Sequence, residues 1–141
     1  MKKNYKELII YIIIPLSLGG IIGLITMKAS SNYNGIVPGF IFPIVWSILY
    51  ILMGISSYLI RNYFYLIKIY VVNLVINLLW PILFFILDLK VLAFFWILLL
   101  ILVVGYMMYK FYYKNKISSY LLIPYLLWII FASVLNLIEI I

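Results

Sequence analysis

The chain contains no cysteine and no histidine, and its 141 residues include only three carboxylates, Glu7, Asp88 and Glu139. Without cysteine there is no disulfide, no thiolate nucleophile and no Cys-based zinc site. Without histidine the commonest general base and metal ligand are gone, so no metal site is expected. Glu7 and Glu139 lie near the chain ends and Asp88 in a short link between apolar runs. None stands mid-run, where an ionisable group would point to a proton-coupled exchanger, and no glycosidase-type acid/base pair can be formed. Charge of either sign is scarce, at 9% of residues, whereas 70% are hydrophobic. A soluble domain is about half apolar and about a quarter charged, so this composition excludes one.

What is present is a series of long apolar runs, at approximately 8–26, 40–60, 66–87, 91–109 and 117–138. A helix needs ~20 apolar residues to cross the hydrocarbon core. The runs are continuous rather than alternating, which favours helices over a barrel. The expected fold is therefore an all-α integral membrane protein, a five-transmembrane-helix bundle forming a single domain over residues 1–141. Pro15, Pro43, Pro81 and Pro124 fall in or near the runs and read as kinks, which membrane bundles tolerate. Pro38 suits a helix start. The sequence Ile86-Leu-Asp-Leu-Lys90 must turn between runs three and four almost without a loop. The apolar run after the basic N-terminus is longer than the core of a secretory signal, so it is expected to be a retained first helix.

The net charge of +7 is distributed unevenly. Given five spans, Lys2, Lys3, Lys6, Arg61, Lys68, Lys110, Lys114 and Lys116 share one side, and Lys28 and Lys90 are left on the other. The positive-inside rule then puts the N-terminus in the cytoplasm, the C-terminus outside, and the Lys28–Gly39 connection outside. The basic end suits anionic lipid headgroups, and no nucleic-acid partner is expected.

Three of the runs carry stripes. Phe42, Trp46 and Tyr50 recur every four residues on run two. Run three carries Asn73, Asn77, Trp80 and Phe84, and run five carries Trp128, Ala132 and Asn136. Amides in hydrocarbon need partners, so the Asn73/Asn77 face should turn inward. Ala132 leaves room between two larger neighbours, and Ala132→Leu is expected to block a pocket while sparing the fold. Packing or interfacial anchoring is the commoner role for any single tryptophan, and the asparagines could equally serve as helix–helix glue. Trp96, with no polar stripe around it, reads as packing.

The segments Pro38-Gly-Phe-Ile-Phe42-Pro43-Ile-Val-Trp46-Ser-Ile-Leu49-Tyr50, Asn73-Leu-Val-Ile-Asn77-Leu-Leu-Trp80-Pro81 and Pro124-Tyr125-Leu-Leu-Trp128-Ile-Ile-Phe-Ala132 resemble the second, third and fifth helices of the TspO/translocator protein family. This family is also called tryptophan-rich sensory proteins or peripheral benzodiazepine receptors. The resemblance implies a TspO-like five-helix bundle in a bacterial cell membrane, commonly a homodimer, acting as a receptor or translocator. It implies ligands such as protoporphyrin IX, haem, or isoquinoline- and benzodiazepine-type molecules, with no required cofactor. Carried over, the ligand-binding residues are Pro38, Phe42, Trp46, Tyr50, Asn77, Trp80, Trp128 and Ala132. Two further readings stay open. One is a light-dependent porphyrin-degrading enzyme using Trp46 and Trp128; the other is a structural or partner-binding membrane subunit. The chain departs from the family in a short first loop, Lys28 to Pro38, in which Tyr33 could replace an aromatic contact, and in Phe40 where tryptophan is common. Leu137-Ile-Glu139 lacks the family's sterol motif, so no sterol transport is expected.

Overall fold

The computed structural model describes residues 4–31 and 38–141. Tyr33, most of the first loop, Lys2 and Lys3 lie outside the described residues. Among the described residues, five spans are long and apolar enough to cross a membrane. They are α1 (Tyr5–Ser31), α2 (Ile41–Leu59), α3 (Phe64–Pro81) with a following π-helical turn (Ile82–Ile86), α4 (Lys90–Tyr112), and a last span made of α5 (Lys116–Tyr120) and α6 (Ile123–Ile140). Most helices run past the edges of the apolar runs: α1 continues through Lys28 and Ala29, and α4 reaches Tyr112. Hydropathy marks the hydrocarbon slab, whereas backbone hydrogen bonding carries a helix on into polar residues.

The breaks have local causes. The Pro38 carbonyl accepts the Ile41 N–H at 3.1 Å and begins the turn that leads into α2. Pro81 has no N–H to donate four residues back, and the helix beyond it widens to π spacing. The chain then reverses through Asp88, whose φ of 53° is left-handed, a conformation short polar side chains accept better than most. The Lys90 ammonium donates to the Phe84 carbonyl at 2.9 Å, closing the end of that helix. The tight antiparallel link expected at 86–90 is thus formed. In the last span, the Asn115 side chain caps α5 by accepting the Ser118 N–H at 3.0 Å, and Pro124 sits in the first turn of α6.

Polar side chains stitch the interior. Asn73, Asn77 and Asn136 are fully buried, as the stripes required. Ser56 and Ser118 exchange hydrogen bonds, each hydroxyl donating to the other's carbonyl at 2.7 and 2.8 Å, and fasten α2 to α5. The Trp96 indole donates to the Ile76 carbonyl at 2.9 Å and ties α4 to α3, which is the packing role expected of it.

By contrast, α1 has 6% of its span buried in the bundle against 50% for α2. It is held at its start by an Arg61–Glu7 ion pair of 2.7 Å and by the Asn4 N–H donating to the Tyr58 hydroxyl at 2.7 Å. It is held mid-helix by Gly54. A Cβ there would stand 2.6 Å from the Ile12 Cα and from the Tyr11 carbonyl, so only glycine lets the two backbones come this close.

Candidate functional site

A cavity of about 280 Å³ lies between α1, α2 and the Pro81–Phe85 end of α3. This is near the low end of pockets that hold small organic ligands. One wall is a face of α1 formed by Leu16, Gly19, Gly20, Gly23, Thr26 and Met27, spaced i, i+3, i+4, i+7, i+10 and i+11 as one side of a helix must be. Opposite stand Phe42, Trp46 and Tyr50 of α2. Among the described residues, no lysine, arginine, aspartate or glutamate lines the space.

The glycines divide the work. A Cβ on Gly19 would fall 2.2 Å from Cε2 of Tyr50, so Gly19 is the seat of that ring. Gly20 and Gly23 have nothing within 4 Å of the corresponding position; their missing side chains leave open space.

Behind the α2 face is an aromatic layer. The Trp46 ring stacks on Tyr50, with centroids 5.8 Å apart and planes at 28°. It also meets Trp128 edge-to-face at 6.4 Å and Tyr125 at 6.3 Å. Phe42 contacts Trp128 at 5.9 Å and Phe85 at 5.3 Å. Such edge and offset contacts are favoured by the ring quadrupoles. The Trp128 indole nitrogen is buried with no hydrogen-bond partner among the described residues.

A chain of hydrogen bonds leads inward from Tyr50. Its hydroxyl donates to Asn77 Oδ1 at 2.6 Å, and Asn77 Nδ2 donates to the Tyr125 hydroxyl at 2.8 Å. The Tyr125 hydroxyl donates to Asn73 Oδ1 at 2.7 Å, and Asn73 Nδ2 reaches the Tyr70 carbonyl at 3.4 Å. Helices α2, α3 and α6 are joined by this one chain.

The residues singled out in the sequence therefore fall into three groups. Phe42, Trp46 and Tyr50 line the cavity. Asn77 and Trp128 stand behind them, in direct contact with the lining through the Tyr50 hydroxyl and the Phe42 and Trp46 rings. Trp80, Ala132 and Pro38 are not part of the lining. Trp80 stacks on Phe84 at 4.9 Å and donates to Asn136 Oδ1 at 3.1 Å, while Asn136 Nδ2 donates to the Lys90 carbonyl at 2.8 Å. Ala132 is fully buried, so the room the sequence suggested beside it is occupied. Pro38 is exposed at the entry to α2. Sequence reasoning missed the α1 wall, although the small residues at 19, 20, 23 and 26 were a periodic signal. It also missed the part of Tyr125, which lies in one of the quoted segments but received no role.

The arrangement offers an aromatic-walled space inside the membrane, and among the described residues no carboxylate or amine lines it. The expectation of three walls from helices two, three and five becomes, for this cavity, walls from α1, α2 and the end of α3. No curated protein matches the chain closely enough to count as a relative. The model of the TspO/MBR family matches residues 11–138, nearly the whole chain, and the five apolar spans and the aromatic face of α2 agree with it: the chain belongs to the TspO/MBR family.

Proposed function

We propose that this protein binds flat, apolar small molecules of the porphyrin type within the bundle, for sensing, sequestration or transport. The observation that carries the reading is the cavity between α1 and the Trp46/Tyr50 face of α2, lined by no charged side chain among the described residues. Indole and phenol faces suit a planar conjugated ring, and a membrane cavity without charge suits a ligand that partitions into lipid. A three-ring molecule matches the scale of the space as found, whereas a tetrapyrrole requires α1 to yield. The shallow burial of α1 is compatible with that.

Orientation follows from charge. Lys6, Arg61, Lys68, Lys110, Lys114 and Lys116 belong to the end of the bundle that holds the N-terminus, and Lys28 and Lys90 to the other. The N-terminus is accordingly read as cytoplasmic, with anionic lipid headgroups as its neighbours. A homodimer would need a face other than the small residues of α2. Gly54 packs on Ile12, Ser56 bonds Ser118, and the Ser57 hydroxyl donates to the Gly54 carbonyl at 2.9 Å, all within one chain.

The test is titration of the detergent-purified protein with protoporphyrin IX, following tryptophan quenching, beside a Trp46→Phe/Trp128→Phe variant. Saturable quenching weakened in the variant supports the reading; linear quenching, identical in both, refutes it. The edge contact between Trp46 and Trp128 also keeps a light-dependent reaction in view. That alternative requires a new product from the illuminated, porphyrin-loaded protein that the double variant fails to make.

A further inference from the structure

The two ends of the bundle hold their cations differently. The Lys90 ammonium is turned back into the fold, donating to the Phe84 carbonyl at 2.9 Å and lying 3.4 Å from Asp88. At the opposite end, Lys110, Lys114 and Lys116 make no hydrogen bond and no ion pair among the described residues through their ammonium groups. The one carboxylate of that end, Glu7, is taken by Arg61. Each of the three ammoniums instead rests over a tyrosine ring. Lys114 stands 5.2 Å from the centroid of Tyr63, Lys116 5.5 Å from Tyr112 and Lys110 5.6 Å from Tyr106. A ring beneath an ammonium attracts and orients it but takes none of its three donors.

These lysines form one cluster. Lys114 joins the end of α4 to Tyr63, the residue before α3. Tyr112, under Lys116, meets Tyr113 at 5.8 Å and Tyr120 of α5 at 6.2 Å, and Tyr113 meets Tyr109 at 5.2 Å. All four of those rings are exposed. The 23 residues of α4 span about 34 Å, slightly more than the ~30 Å of hydrocarbon. Its last turn therefore reaches headgroup depth, where exposed tyrosines are at home.

An apolar track leads to the cluster. Phe95, Leu99, Leu102 and Tyr106 are exposed and spaced i, i+4, i+7 and i+11, one face of α4. Gly105 is exposed on this helix with nothing within 4 Å of a Cβ, which leaves a notch between Leu102 and Tyr109. Three like charges without a counter-ion repel one another, and an anion among them relieves that repulsion. A phosphate oxygen accepts from ammoniums in strong, charge-assisted bonds. A zwitterionic headgroup brings its own cation to the cluster, whereas an anionic one brings none.

Deepening the reading of this end as the neighbour of anionic headgroups, we propose that it carries a defined seat for one anionic phospholipid. Lys110, Lys114 and Lys116 hold the phosphate, and the acyl chains lie along the exposed face of α4 past Gly105. The seat is separate from the α1/α2 cavity and does not depend on what that cavity binds.

Native mass spectrometry of the full-length protein in one neutral detergent tests this, with phosphatidylglycerol and phosphatidylcholine of identical chains titrated in turn. The first phosphatidylglycerol should bind at least about tenfold more tightly, given the contribution of each lysine near an anionic surface. Lys110→Gln/Lys114→Gln should bring the ratio of the two affinities toward one. Lys6→Gln/Lys68→Gln removes the same charge from the same end outside the cluster and should leave the ratio within about twofold. All four positions are partly or fully exposed, so neither variant threatens the fold. Equal falls in both variants would overturn the seat and leave only a diffuse basic surface. Equal affinity for the two lipids in the unaltered protein would overturn the seat together with the reading of this end. Displacement of phosphatidylglycerol by equimolar inorganic phosphate would assign the cluster to free anions and overturn the lipid.

Discussion

The two sides of the bundle are built on different terms. Where α3, α4 and α6 meet, space is filled and polar atoms are paired: Trp80 with Asn136, Asn136 with the Lys90 carbonyl, Asn73 and Asn77 with Tyr125. Where α1 meets α2, four glycines, Gly19, Gly20, Gly23 and Gly54, replace side chains, and two of them, Gly20 and Gly23, border empty volume. Side-chain filling and buried hydrogen bonds hold the first side; the second is held by close approach of the two helices at Gly54 and Gly19, by the Arg61–Glu7 pair and by the Asn4 bond to Tyr58. Under the proposed function, a tightly tied interior behind the cavity and an outward-facing helix in front of it are complementary requirements for a site that must both recognise and admit. Local stability within a fold varies in this way, and mobile elements come from its weaker end.

Substitutions can test the contrast, beginning with the most damaging. Gly54→Val forces a branched side chain against the α1 backbone, and should destabilise the protein by about 3 kcal/mol and loosen α1. A thermal melt in detergent, with protease sensitivity of the α1–α2 connection, measures both; an unchanged melt would mean α1 does not depend on this crossing. Ala132→Leu overfills the tight side, where the alanine is fully buried, and should cost about 2 kcal/mol. The sequence alone had suggested that this change would spare the fold, so a normal melting temperature would restore that earlier view. Glu7→Gln removes the ion pair at the start of α1. With Glu7 half exposed, a loss of about 0.5 kcal/mol is expected, smaller in high salt; a larger loss would show that this end anchors the whole helix. Gly23→Leu should change stability by less than about 0.5 kcal/mol, because the new side chain enters open space. It should nevertheless weaken saturable ligand binding at least about tenfold; retained affinity would place the ligand elsewhere.

Much of the fold was written in the sequence, because membrane spans announce themselves by length and hydropathy, and a misplaced charge in lipid is expensive. The hairpin at Asp88 and the inward turn of Asn73 and Asn77 were equally legible, since backbone length and amide desolvation leave few alternatives. The site was only half legible. Periodicity on α2 found Phe42, Trp46 and Tyr50, but aromatic residues draw attention and glycines do not, so the α1 wall went unread. Ala132 misled for a related reason. A small residue reads as room, yet whether a neighbour fills that room depends on helix crossings that no single-helix pattern contains.

The exposure of α1 has a further consequence for how occupancy should be counted. Under the proposed function, a cavity walled by a helix whose other faces meet lipid, and lined by no charged side chain among the described residues, equilibrates with the bilayer. Its reference concentration is then the ligand's mole fraction among the lipids. Adding empty vesicles at constant protein and total ligand should therefore release ligand, while raising salt should not. Under that reading, the protein would report the loading of its own solvent.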